Sequence, residues 1–297
     1  MKITFLGTGS MQPTKERNLS AALISYRNES ILVDCGEGTQ RQMKIAGLKP
    51  TKITKILISH WHGDHVIGLM GLIQYLKANE YNKTLEVYGP IETKKYFNRM
   101  VNSFIFKHDL DIKITEISKD KIFFVGKDFS LVAYRLNHSV PCLGYSIVED
   151  EKRKINLKYL KKFGLKQHPI LGRLQRGEDI VWNGKKIKAK DATIIKKGTK
   201  VSFIADTAYC NNCLKLAKDS DLLICESTYL NELEKKAEEY KHLTPREAAT
   251  IAKKTNVKRL ILTHFSQRYK EEDELKKEAK KMFSNVECAR DFMEVEI

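Results

Sequence analysis

Residues 60–65 read His-Trp-His-Gly-Asp-His, so three imidazoles and one carboxylate lie within six positions of the chain. Zinc and similar divalent metals bind these nitrogen and oxygen donors in proteins. The run follows residues 55–58, an apolar stretch typical of a buried strand, and Gly63 allows the chain to turn tightly after it. The alternative is a polar loop that is only rich in histidine. Because three of the eight histidines of the chain fall in this run, we favour a metal site.

The four candidate ligands of this run divide into two pairs. His60 and His62 are two positions apart and can point the same way. Asp64 and His65 lie on the next turn of the loop and can bind a second ion. A hydrolytic metal needs three or four protein ligands and an open position for water. Two ions ~4 Å apart can activate a water and stabilise an in-line displacement at phosphorus, so a pair of ions needs more ligands than this run supplies.

Three further candidate ligands follow apolar, strand-like runs later in the chain. They are His138, Asp206 and His264. A single histidine after a strand is more often a surface residue, but three candidates at strand ends form a consistent set. The two oxygens of the Asp206 carboxylate can bridge two ions. His108 and His168 lack this context, and we expect them to be surface residues.

The rest of the chain alternates apolar, strand-like runs with amphipathic segments. Strands are predicted at residues 3–6, 21–25, 31–33, 85–88, 112–117, 122–125, 129–136, 143–148, 201–205, 222–225, 259–262 and 292–295. Helical spacing predicts helices at residues 68–78, 91–101, 248–254 and 271–282. Thr244-Pro245-Arg246-Glu247 combines an N-cap, a proline at the first helical position and a capping box, which is typical of a helix start. Strands alternating with helices imply an α/β fold.

The net charge of +16 is concentrated in one segment. Residues 151–200 contain 16 Lys or Arg and 4 Asp or Glu, a net charge of +12 out of +16. The segment is sparsely apolar and contains several glycines, so we interpret residues 151–198 as an inserted arm that is too polar to bury and that we expect to be mobile. Clustered basic residues bind polyphosphates by releasing counterions, which favours a nucleic-acid partner over an ordinary lysine-rich surface.

Other features of the sequence exclude several classes of protein. No stretch approaches the ~20 apolar residues that a membrane helix needs, and the apolar start is too short for a secretory signal. The six cysteines are scattered, which in a chain without a signal points to the cytoplasm. Cys210 and Cys213 form the one C-x-x-C motif of the sequence. No second pair completes a zinc knuckle, so a structural or incidental role is favoured.

Several of these segments together resemble the ribonuclease Z family, in its short form, of the metallo-β-lactamase superfamily. The run from His60 to His65 is similar to the H-x-H-x-D-H signature of the superfamily, which is specific for its fold and metals. Segments specific to the ribonuclease extend the resemblance over nearly the whole chain; they are residues 5–9, 17–18, 32–39, 63–72, 138–145 and 263–269. The resemblance implies a four-layer αβ/βα sandwich with two zinc ions per subunit in the cleft between its halves.

The resemblance also implies which residues form the site. One zinc ion would bind His60, His62, His138 and Asp206, and the other would bind Asp64, His65, Asp206 and His264. The resemblance implies that Asp64 also acts as general base. This is chemically reasonable for a carboxylate that binds metal, because the ion already lowers the pKa of the attacking water. Glu226 and His242 match a pair in which the histidine protonates the departing 3′ oxygen and the glutamate orients the ring. Residues 225–228 read Cys-Glu-Ser-Thr where the family usually has His-Glu-Ala-Thr, so the glutamate is kept.

The basic arm has a counterpart in the family, where it grips the body of the tRNA and acts across a homodimer. Residues 167–177 are similar to the Gly-Pro motif of that arm, with His168 in place of the glycine. We therefore expect residues 1–297 to form one metallo-β-lactamase-fold domain with a tRNA-binding arm inserted at about 151–198. The partners expected are precursor tRNA and a second copy of the chain, and no membrane.

The leading hypothesis is a zinc-dependent endoribonuclease that cuts precursor tRNA 3′ of the discriminator base and leaves a 3′-hydroxyl. The alternative is a small-molecule metallo-hydrolase on the same fold, such as a phosphodiesterase, a lactonase or an arylsulfatase-like enzyme, which has no use for a basic arm. A nucleic-acid-binding protein without catalysis is a third hypothesis, and the complete set of ligands argues against it. The roles of Arg17, Arg268 and Trp61 stay open. The arginines could bind phosphate or form ordinary pairs, and the tryptophan could stack on a base or pack beside the loop.

Overall fold

The computed structural model describes residues 1–105 and 109–297, and the expected surface residue His108 lies outside them. Within these residues the chain forms two compact units. The larger unit contains Met1–Val125, Leu131–Ile147 and Lys200–Ile297, and the smaller unit contains Gly126–Ser130 and Val148–Thr199. All the residues predicted to bind metal or to catalyse belong to the larger unit.

The first large sheet has seven strands within the described residues. In spatial order they are Glu294–Glu296, Lys2–Gly7, Ala21–Tyr26, Glu29–Val33, Lys55–Leu57, Leu85–Pro90 and Ile112–Ile117. The first four strands pair antiparallel, and pairing is parallel from the fourth strand onward. Ile31, Leu32 and Val33 are all buried, as expected for a strand covered on both faces. The helical segments of this part of the chain are Thr39–Ile45, Pro50–Lys52, Gly63–Val66, Gly68–Ala78 and Thr93–Val101.

The second large sheet also has seven strands within the described residues. In spatial order they are Val286–Cys288, Arg259–Thr263, Leu222–Glu226, Lys200–Ile204, Cys142–Glu149, Phe129–Leu136 and Lys121–Val125. The helical segments that accompany it are Asn211–Ala217, Asn231–Leu233, Glu234–Tyr240, Pro245–Lys254 and Asp273–Lys280. The predicted capping box is present, because Thr244 Oγ1 accepts from the Glu247 amide and the Glu247 carboxylate accepts from the Thr244 amide at 2.9 Å.

The two large sheets face each other and carry helices on their outer faces. Phe5 of the first sheet and Phe203 of the second line one narrow cavity between the sheets. One buried apolar cluster joins the first sheet to helix Gly68–Ala78, and another joins the second sheet to helix Pro245–Lys254. The arrangement is the four-layer αβ/βα sandwich that the family resemblance implies.

The smaller unit has its own secondary structure and its own apolar core. Its strands pair Lys152–Ile155 with Thr193–Lys196 and Ile180–Trp182 with Lys185–Ile187, and its helical segments are Leu157–Leu160, Lys161–Phe163, Leu171–Gln175 and Ala189–Ala192. Its buried apolar residues are Leu160, Leu165, Leu174, Ile180, Ile187, Ala189 and Ala192. The segment, which was expected to be too polar to bury, therefore does bury a small apolar core of its own. Its few apolar side chains converge on one cluster while most of its lysines stay exposed.

Several predicted boundaries agree with the structure, and the histidine-rich run differs from its prediction. The predicted helix at residues 68–78 and strand at residues 129–136 are Gly68–Ala78 and Phe129–Leu136. In the histidine run, Gly63–Val66 forms one helical turn where the sequence predicted a loop. None of the helices in the described part of the chain has both the length and the apolar character needed to cross a membrane.

Candidate metal centre

The candidate ligands of the larger unit lie where strands of the two sheets end. His60 follows Lys55–Leu57, His138 follows Phe129–Leu136, Asp206 follows Lys200–Ile204 and His264 follows Arg259–Thr263. A strand end is a rigid anchor from which a short loop can turn a side chain inward. All four of these side chains are buried, so the loops direct them into the protein and not into solvent.

Close backbone contacts hold the histidine run against the loop that follows Glu29–Val33. The Cys35 amide donates to the His65 carbonyl at 2.8 Å, and the Gly68 amide donates to the Cys35 carbonyl at 3.0 Å. A Cβ at Gly68 would lie 1.9 Å from the carbonyl oxygen of Gly36, so only glycine permits this approach. These contacts fix the position of the histidine run relative to the first sheet.

The predicted ligands converge on two groups of atoms. Within the described residues, ligand atoms of His60, His62, His138 and Asp206 lie within 4.8 Å of one another, and those of Asp64, His65 and His264 form a second such group. Asp206 contacts both groups. Its Oδ2 lies 3.7 Å from His60 Nε2, and its Oδ1 lies 3.3 Å from His264 Nε2. The structure therefore brings the other six predicted ligands together around the Asp206 carboxylate.

The distances between facing nitrogen atoms of the cluster fit metal ions. His65 Nε2 lies 3.2 Å from His264 Nε2, and His62 Nδ1 lies 3.3 Å from His138 Nε2. Two nitrogen ligands ~2 Å from one tetrahedral zinc ion lie ~3.4 Å apart, which matches both pairs. The spacing of these rings is therefore the spacing that shared metal ions require.

Two buried polar atoms of the cluster have no hydrogen-bond partner among the residues that the structure describes. They are Nε2 of His60 and Oδ1 of Asp206, and their residues are 0% and 3% exposed. Leaving a buried polar atom without a partner costs ~1–3 kcal/mol. Divalent cations would satisfy both atoms, so the donor set and its burial fit a metal centre.

Asp34, which the sequence analysis did not identify as a site residue, orients two of the histidines. Its Oδ2 accepts from His65 Nδ1 at 2.8 Å, and it also accepts from the hydroxyl of Ser59 at 2.8 Å. Ser59 Oγ in turn lies 3.0 Å from His60 Nδ1. These bonds occupy Nδ1 of both rings and direct Nε2 into the cluster. Asp34 has φ +56°, a conformation that costs free energy and that proteins retain at functional sites.

Thr228 has the same role for His264, and the sequence analysis did not identify it either. The His264 Nδ1–H donates to Thr228 Oγ1 at 2.9 Å, and the Thr228 hydroxyl donates to Glu226 Oε2 at 2.7 Å. His264 has φ +60°, a second left-handed backbone in the cluster. One hydroxyl group therefore connects a candidate ligand to the Glu226 carboxylate.

Burial keeps three of the candidate histidines neutral. Burial lowers the pKa of His60 well below its ordinary value, and the nearby His65 ring lowers it further. Burial also lowers the pKa of His62 and His138, against the opposing effect of the Asp206 carboxylate. A metal binds the neutral imidazole, so these three rings need not lose a proton before binding.

Asp64 presents a carboxylate to the cluster and is held by the backbone. Its Oδ2 accepts from the Met11 amide at 2.8 Å and lies 3.5 Å from His65 Nε2 and from His264 Nε2. Burial raises the pKa of this carboxyl, but the His65 and His264 rings outweigh burial and hold the pKa well below its usual range. Asp64 is therefore ionised at neutral pH, as a ligand or a base must be.

His242 and Glu226 form a hydrogen-bonded pair beside the cluster. His242 Nδ1 donates to Glu226 Oε2 at 3.1 Å and lies 3.9 Å from Asp206 Oδ2. Glu226 is 0% exposed, and its Oε1 accepts from the Thr207 amide at 2.7 Å. Burial lowers the pKa of His242, but the Glu226 and Asp206 carboxylates outweigh burial and raise it to about 9. The ring therefore carries a proton at neutral pH that it can donate.

The cluster opens into a cleft of about 770 Å³ in the larger unit. Cationic and aromatic side chains line this cleft beside the candidate ligands; they are Tyr229, Lys236, Tyr240, Lys241 and Arg268. The Arg268 guanidinium lies 5.5 Å from the centre of the Tyr229 ring, and its Nε donates to Ser266 Oγ at 3.2 Å. Arg268 therefore lines the cleft and is held there by contacts with Tyr229 and Ser266.

The other residues whose roles were open have structural contacts. Arg17 is 4% exposed and forms an ion pair with Glu272, Nη2 to Oε1, at 2.9 Å. Trp61 Nε1 donates to Thr93 Oγ1 at 2.9 Å, and the indole packs in the apolar cluster of the first sheet. His168 of the smaller unit is exposed, as expected. Arg17 therefore forms a pair and Trp61 packs beside the histidine run.

The chain is similar along nearly its whole length to proteins named ribonuclease Z. It is 39% identical over 291 residues to ribonuclease Z of Chlamydia abortus, an alignment that covers 98% of this chain and 95% of that protein. It is 41% identical over 271 residues to ribonuclease Z of Thermococcus onnurineus, which covers 91% and 86%. It is 39% identical over 303 residues to ribonuclease Z of Archaeoglobus fulgidus, which covers 100% and 97%.

Solved structures and family models show further similarities. Human tRNase Z, short form, superposes with a TM-score of 0.74 at 30% identity and covers 100% of this chain and 99% of its own. The metallo-β-lactamase fold protein YhfI of Bacillus subtilis has a TM-score of 0.73 at 21% identity, covers 99% and 98%, and shows the fold alone. The model of the β-lactamase superfamily domain matches residues 190–265, and the model of the anti-Pycsar protein Apyc1 matches residues 1–122.

The facing sheets, the clustered ligands and these similarities define a metal-dependent hydrolase with the metallo-β-lactamase fold. Within that class the alignments with ribonuclease Z cover almost the complete chain. The chain belongs to the ribonuclease Z family. The predicted family, fold class and enzyme class are confirmed.

Proposed function

We propose that the chain is a zinc-dependent endoribonuclease that removes the 3′ trailer of precursor tRNA. The cut falls 3′ of the discriminator base and leaves a 3′-hydroxyl on the tRNA. The observation that carries the proposal is the convergence of seven possible ligands and the Glu226–His242 pair on one cleft of a ribonuclease Z family chain. The name of the human structure, tRNase Z, supports tRNA as the substrate.

We propose that two zinc ions per subunit bind the two groups of ligands. One ion is assigned to His60, His62, His138 and Asp206, and the other to Asp64, His65, Asp206 and His264. The nitrogen and oxygen donors, their spacing and the orphaned atoms of His60 and Asp206 support this assignment. When bound, the ions would lower the pKa of a water and stabilise the negative charge that develops at phosphorus.

Asp64 is assigned as the general base as well as a ligand. The Met11 amide fixes one oxygen of the carboxylate, so the group cannot rotate freely in the cleft. The carboxylate is ionised at neutral pH and can accept the proton of the attacking water. Its Oδ2 lies 3.5 Å from His65 Nε2 and from His264 Nε2, which supports a role beside the second group of ligands, where a bound ion would activate the water.

His242 is assigned as the general acid, with Glu226 as its positioning residue. The departing 3′ oxygen leaves as an alkoxide and needs a proton. Glu226 accepts from Nδ1 of His242, and the imidazole lines the cleft, so its other nitrogen can meet the substrate. The Thr207 amide and the Thr228 hydroxyl hold the Glu226 carboxylate in place. His242, positioned by Glu226, would therefore donate one proton to the departing 3′ oxygen.

We propose that residues 151–198 form a tRNA-binding arm inserted into a single metallo-β-lactamase domain. The segment 151–200 has a net charge of +12, and its apolar core leaves most of its lysines exposed. Exposed lysines attract a phosphate backbone without reading its sequence, which suits a group of tRNAs that share a shape. The arm would thus supply binding energy while the larger unit supplies the chemistry.

We further propose a homodimer that works in the cytoplasm. The resemblance of residues 167–177 to an arm that acts across a dimer supports the first part. The six free cysteines suit a reducing compartment and support the second. Sedimentation at several concentrations tests the dimer, and a monomer with full activity on precursor tRNA would contradict it.

The experiment that tests the function is cleavage of an in vitro transcribed precursor tRNA by zinc-loaded protein, with the 3′ end of the product mapped. We expect one cut after the discriminator base, a 3′-hydroxyl end, and no cleavage after treatment with a chelator. Bis(p-nitrophenyl) phosphate serves as the small-ester control. Rapid hydrolysis of this ester with no cleavage of the tRNA would favour a small-molecule hydrolase.

A further inference from the structure

A pair of cysteines that the proposed chemistry does not use lies close to the site along the chain. Cys210 Sγ and Cys213 Sγ are 3.5 Å apart, at the start of helix Asn211–Ala217. Both thiols are free; Cys210 is half-buried and Cys213 is fully buried. A disulfide bond is ~2.05 Å long, so the two sulfur atoms have to approach by ~1.5 Å to form one.

The contacts of Cys210 favour a reactive thiolate. The Cys213 thiol, 3.5 Å away, and the nearby backbone amides lower the pKa of Cys210 to about 5, against the opposing effect of burial. Burial raises the pKa of Cys35 to about 12, and burial likewise raises the pKa of Cys142 and Cys225. The thiolate is the nucleophile of disulfide exchange, so Cys210 is the thiol suited to attack. A hydrogen bond to Cys210 and burial raise the pKa of Cys213, so Cys213 can act as the resolving thiol only after Cys210 has entered a mixed disulfide and no longer carries a charge.

A short segment connects this pair to the metal centre. Thr207, next to Asp206, donates its amide to Glu226 Oε1 at 2.7 Å. The Thr207 hydroxyl oxygen accepts from the amide of Asn137, the residue before a candidate ligand, at 3.0 Å. The same oxygen lies 4.0 Å from Cys210 Sγ. Movement of Cys210 would therefore disturb the hydrogen bonds of Thr207 with Glu226 and with Asn137, which lie on two sides of the cluster.

We propose that Cys210 and Cys213 form a thiol–disulfide exchange site whose oxidation switches off the hydrolytic centre. The substrate of this site is a small disulfide such as glutathione disulfide. The Cys210 thiolate attacks one sulfur of that disulfide, forms a mixed disulfide and releases one small thiol. The Cys213 thiol then loses its proton, attacks Cys210 Sγ and releases the second small thiol. The small disulfide gains two electrons, the two cysteines lose two electrons, and their two protons end on the released thiols.

Closing the bond has to move Cys210, because Cys213 is packed in the apolar core of the second sheet. Movement of Cys210 is transmitted to Asp206 through the three residues between them, and it strains the Thr207 hydrogen bond to Glu226. A misplacement of ~1 Å at a catalytic group can cost ~100-fold in rate. We therefore expect oxidation to reduce the rate at least ~10-fold, and reduction to restore it.

The test uses full-length, zinc-loaded protein incubated with glutathione disulfide, then with dithiothreitol. Mass spectrometry of proteolytic peptides identifies a Cys210–Cys213 disulfide, and the hydrolysis rate is measured on precursor tRNA and on bis(p-nitrophenyl) phosphate. We expect the disulfide and the reversible loss of rate in the wild type. C210S should keep its rate under the same treatment, and C213A should trap glutathione on Cys210.

C288S is the matched control. Cys288 is also half-buried, but its Sγ donates to the Glu272 carbonyl at 3.6 Å, and burial raises its pKa to about 12. C288S should therefore lose its rate on oxidation as the wild type does. The proposal is overturned if no Cys210–Cys213 disulfide forms, if it forms without loss of rate, or if C210S is inactivated equally. The disulfide and the ester rate are read without tRNA, so failure of the proposed tRNA substrate would leave this test intact.

Discussion

Thr228→Val removes one hydroxyl group and, with it, two hydrogen bonds of the metal centre. The hydroxyl oxygen accepts from His264 Nδ1 at 2.9 Å, and its hydrogen is donated to Glu226 Oε2 at 2.7 Å. Valine has almost the same shape, so the surrounding packing is kept. His264 is 3% exposed and Glu226 is 0% exposed, so water cannot readily replace the lost hydroxyl.

The expected magnitude follows from these two lost bonds. A buried polar group left without its partner costs ~1–3 kcal/mol, and two groups lose theirs, so we expect T228V to lower the free energy of unfolding of the metal-free protein by ~2–6 kcal/mol. The partner that orients a metal-binding histidine is worth ~10–100-fold in metal affinity. We therefore expect one of the two zinc ions, the one assigned to His264, to bind ~10–100-fold more weakly.

The assay is competition for zinc with a chromophoric chelator, together with urea unfolding of the metal-free protein. T228S is the matched control, because serine keeps the hydroxyl and should bind both ions as the wild type does. Equal zinc affinity of T228V and the wild type would refute the role that the geometry gives to this hydroxyl. A loss of zinc affinity in T228S as large as in T228V would refute it as well, since the effect would then be one of packing.

Three other predictions concern the base, the acid and the arm. Asp64→Ala should reduce cleavage by at least ~100-fold yet leave binding of precursor tRNA nearly intact, as measured by filter binding, and near-normal turnover would exclude the assigned roles. The pKa of His242 is raised to about 9, so activity should be present below that pH and be lost as pH rises through it. In a pH–rate profile this loss forms the alkaline limb, and bound zinc ions, being cations, would move the limb to lower pH. E226Q should move the alkaline limb to still lower pH, because removing the Glu226 carboxylate lowers the pKa of His242. An unmoved limb in E226Q would argue against the pair. Replacing residues 155–190 by a short turn should raise KM for precursor tRNA and spare hydrolysis of bis(p-nitrophenyl) phosphate, and an equal loss on both substrates would assign the arm a structural role.

The candidate ligands could be predicted because each has one of two signals in the sequence. His60, His62 and His65 lie in one short run, and His138, Asp206 and His264 each follow an apolar, strand-like run. Strand ends of facing sheets meet in space even when they are far apart in the chain, so position after a strand carries three-dimensional information. This is why residues nearly 200 positions apart could be assigned to one cluster.

The residues that orient the ligands could not be predicted in the same way. Asp34 acts on Ser59 and His65, and Thr228 acts on His264, through hydrogen bonds that span 25 to 36 positions. A single Asp or Thr has no spacing pattern that reveals such a partner. The left-handed backbone of Asp34 is equally invisible in the sequence, because it depends on the contacts around it.

The core of the smaller unit was missed for a different reason. Its buried residues, which include Leu160, Leu174 and Ile187, are spread over a basic segment without a helical or strand period. Periodicity of apolar residues reveals the buried face of a long helix or strand, whereas this core is assembled from very short helices and hairpins. The net charge of the segment was evident from composition, and its folding was not.

Diffraction data collected at and below the zinc absorption edge test the central claim most directly. The account predicts two anomalous-scattering peaks per subunit, ~4 Å apart, on either side of the Asp206 carboxylate. One peak should contact His60, His62 and His138, and the other should contact Asp64, His65 and His264. A zinc-loaded crystal with no peak at Asp206, or with peaks held by other side chains, would contradict the account.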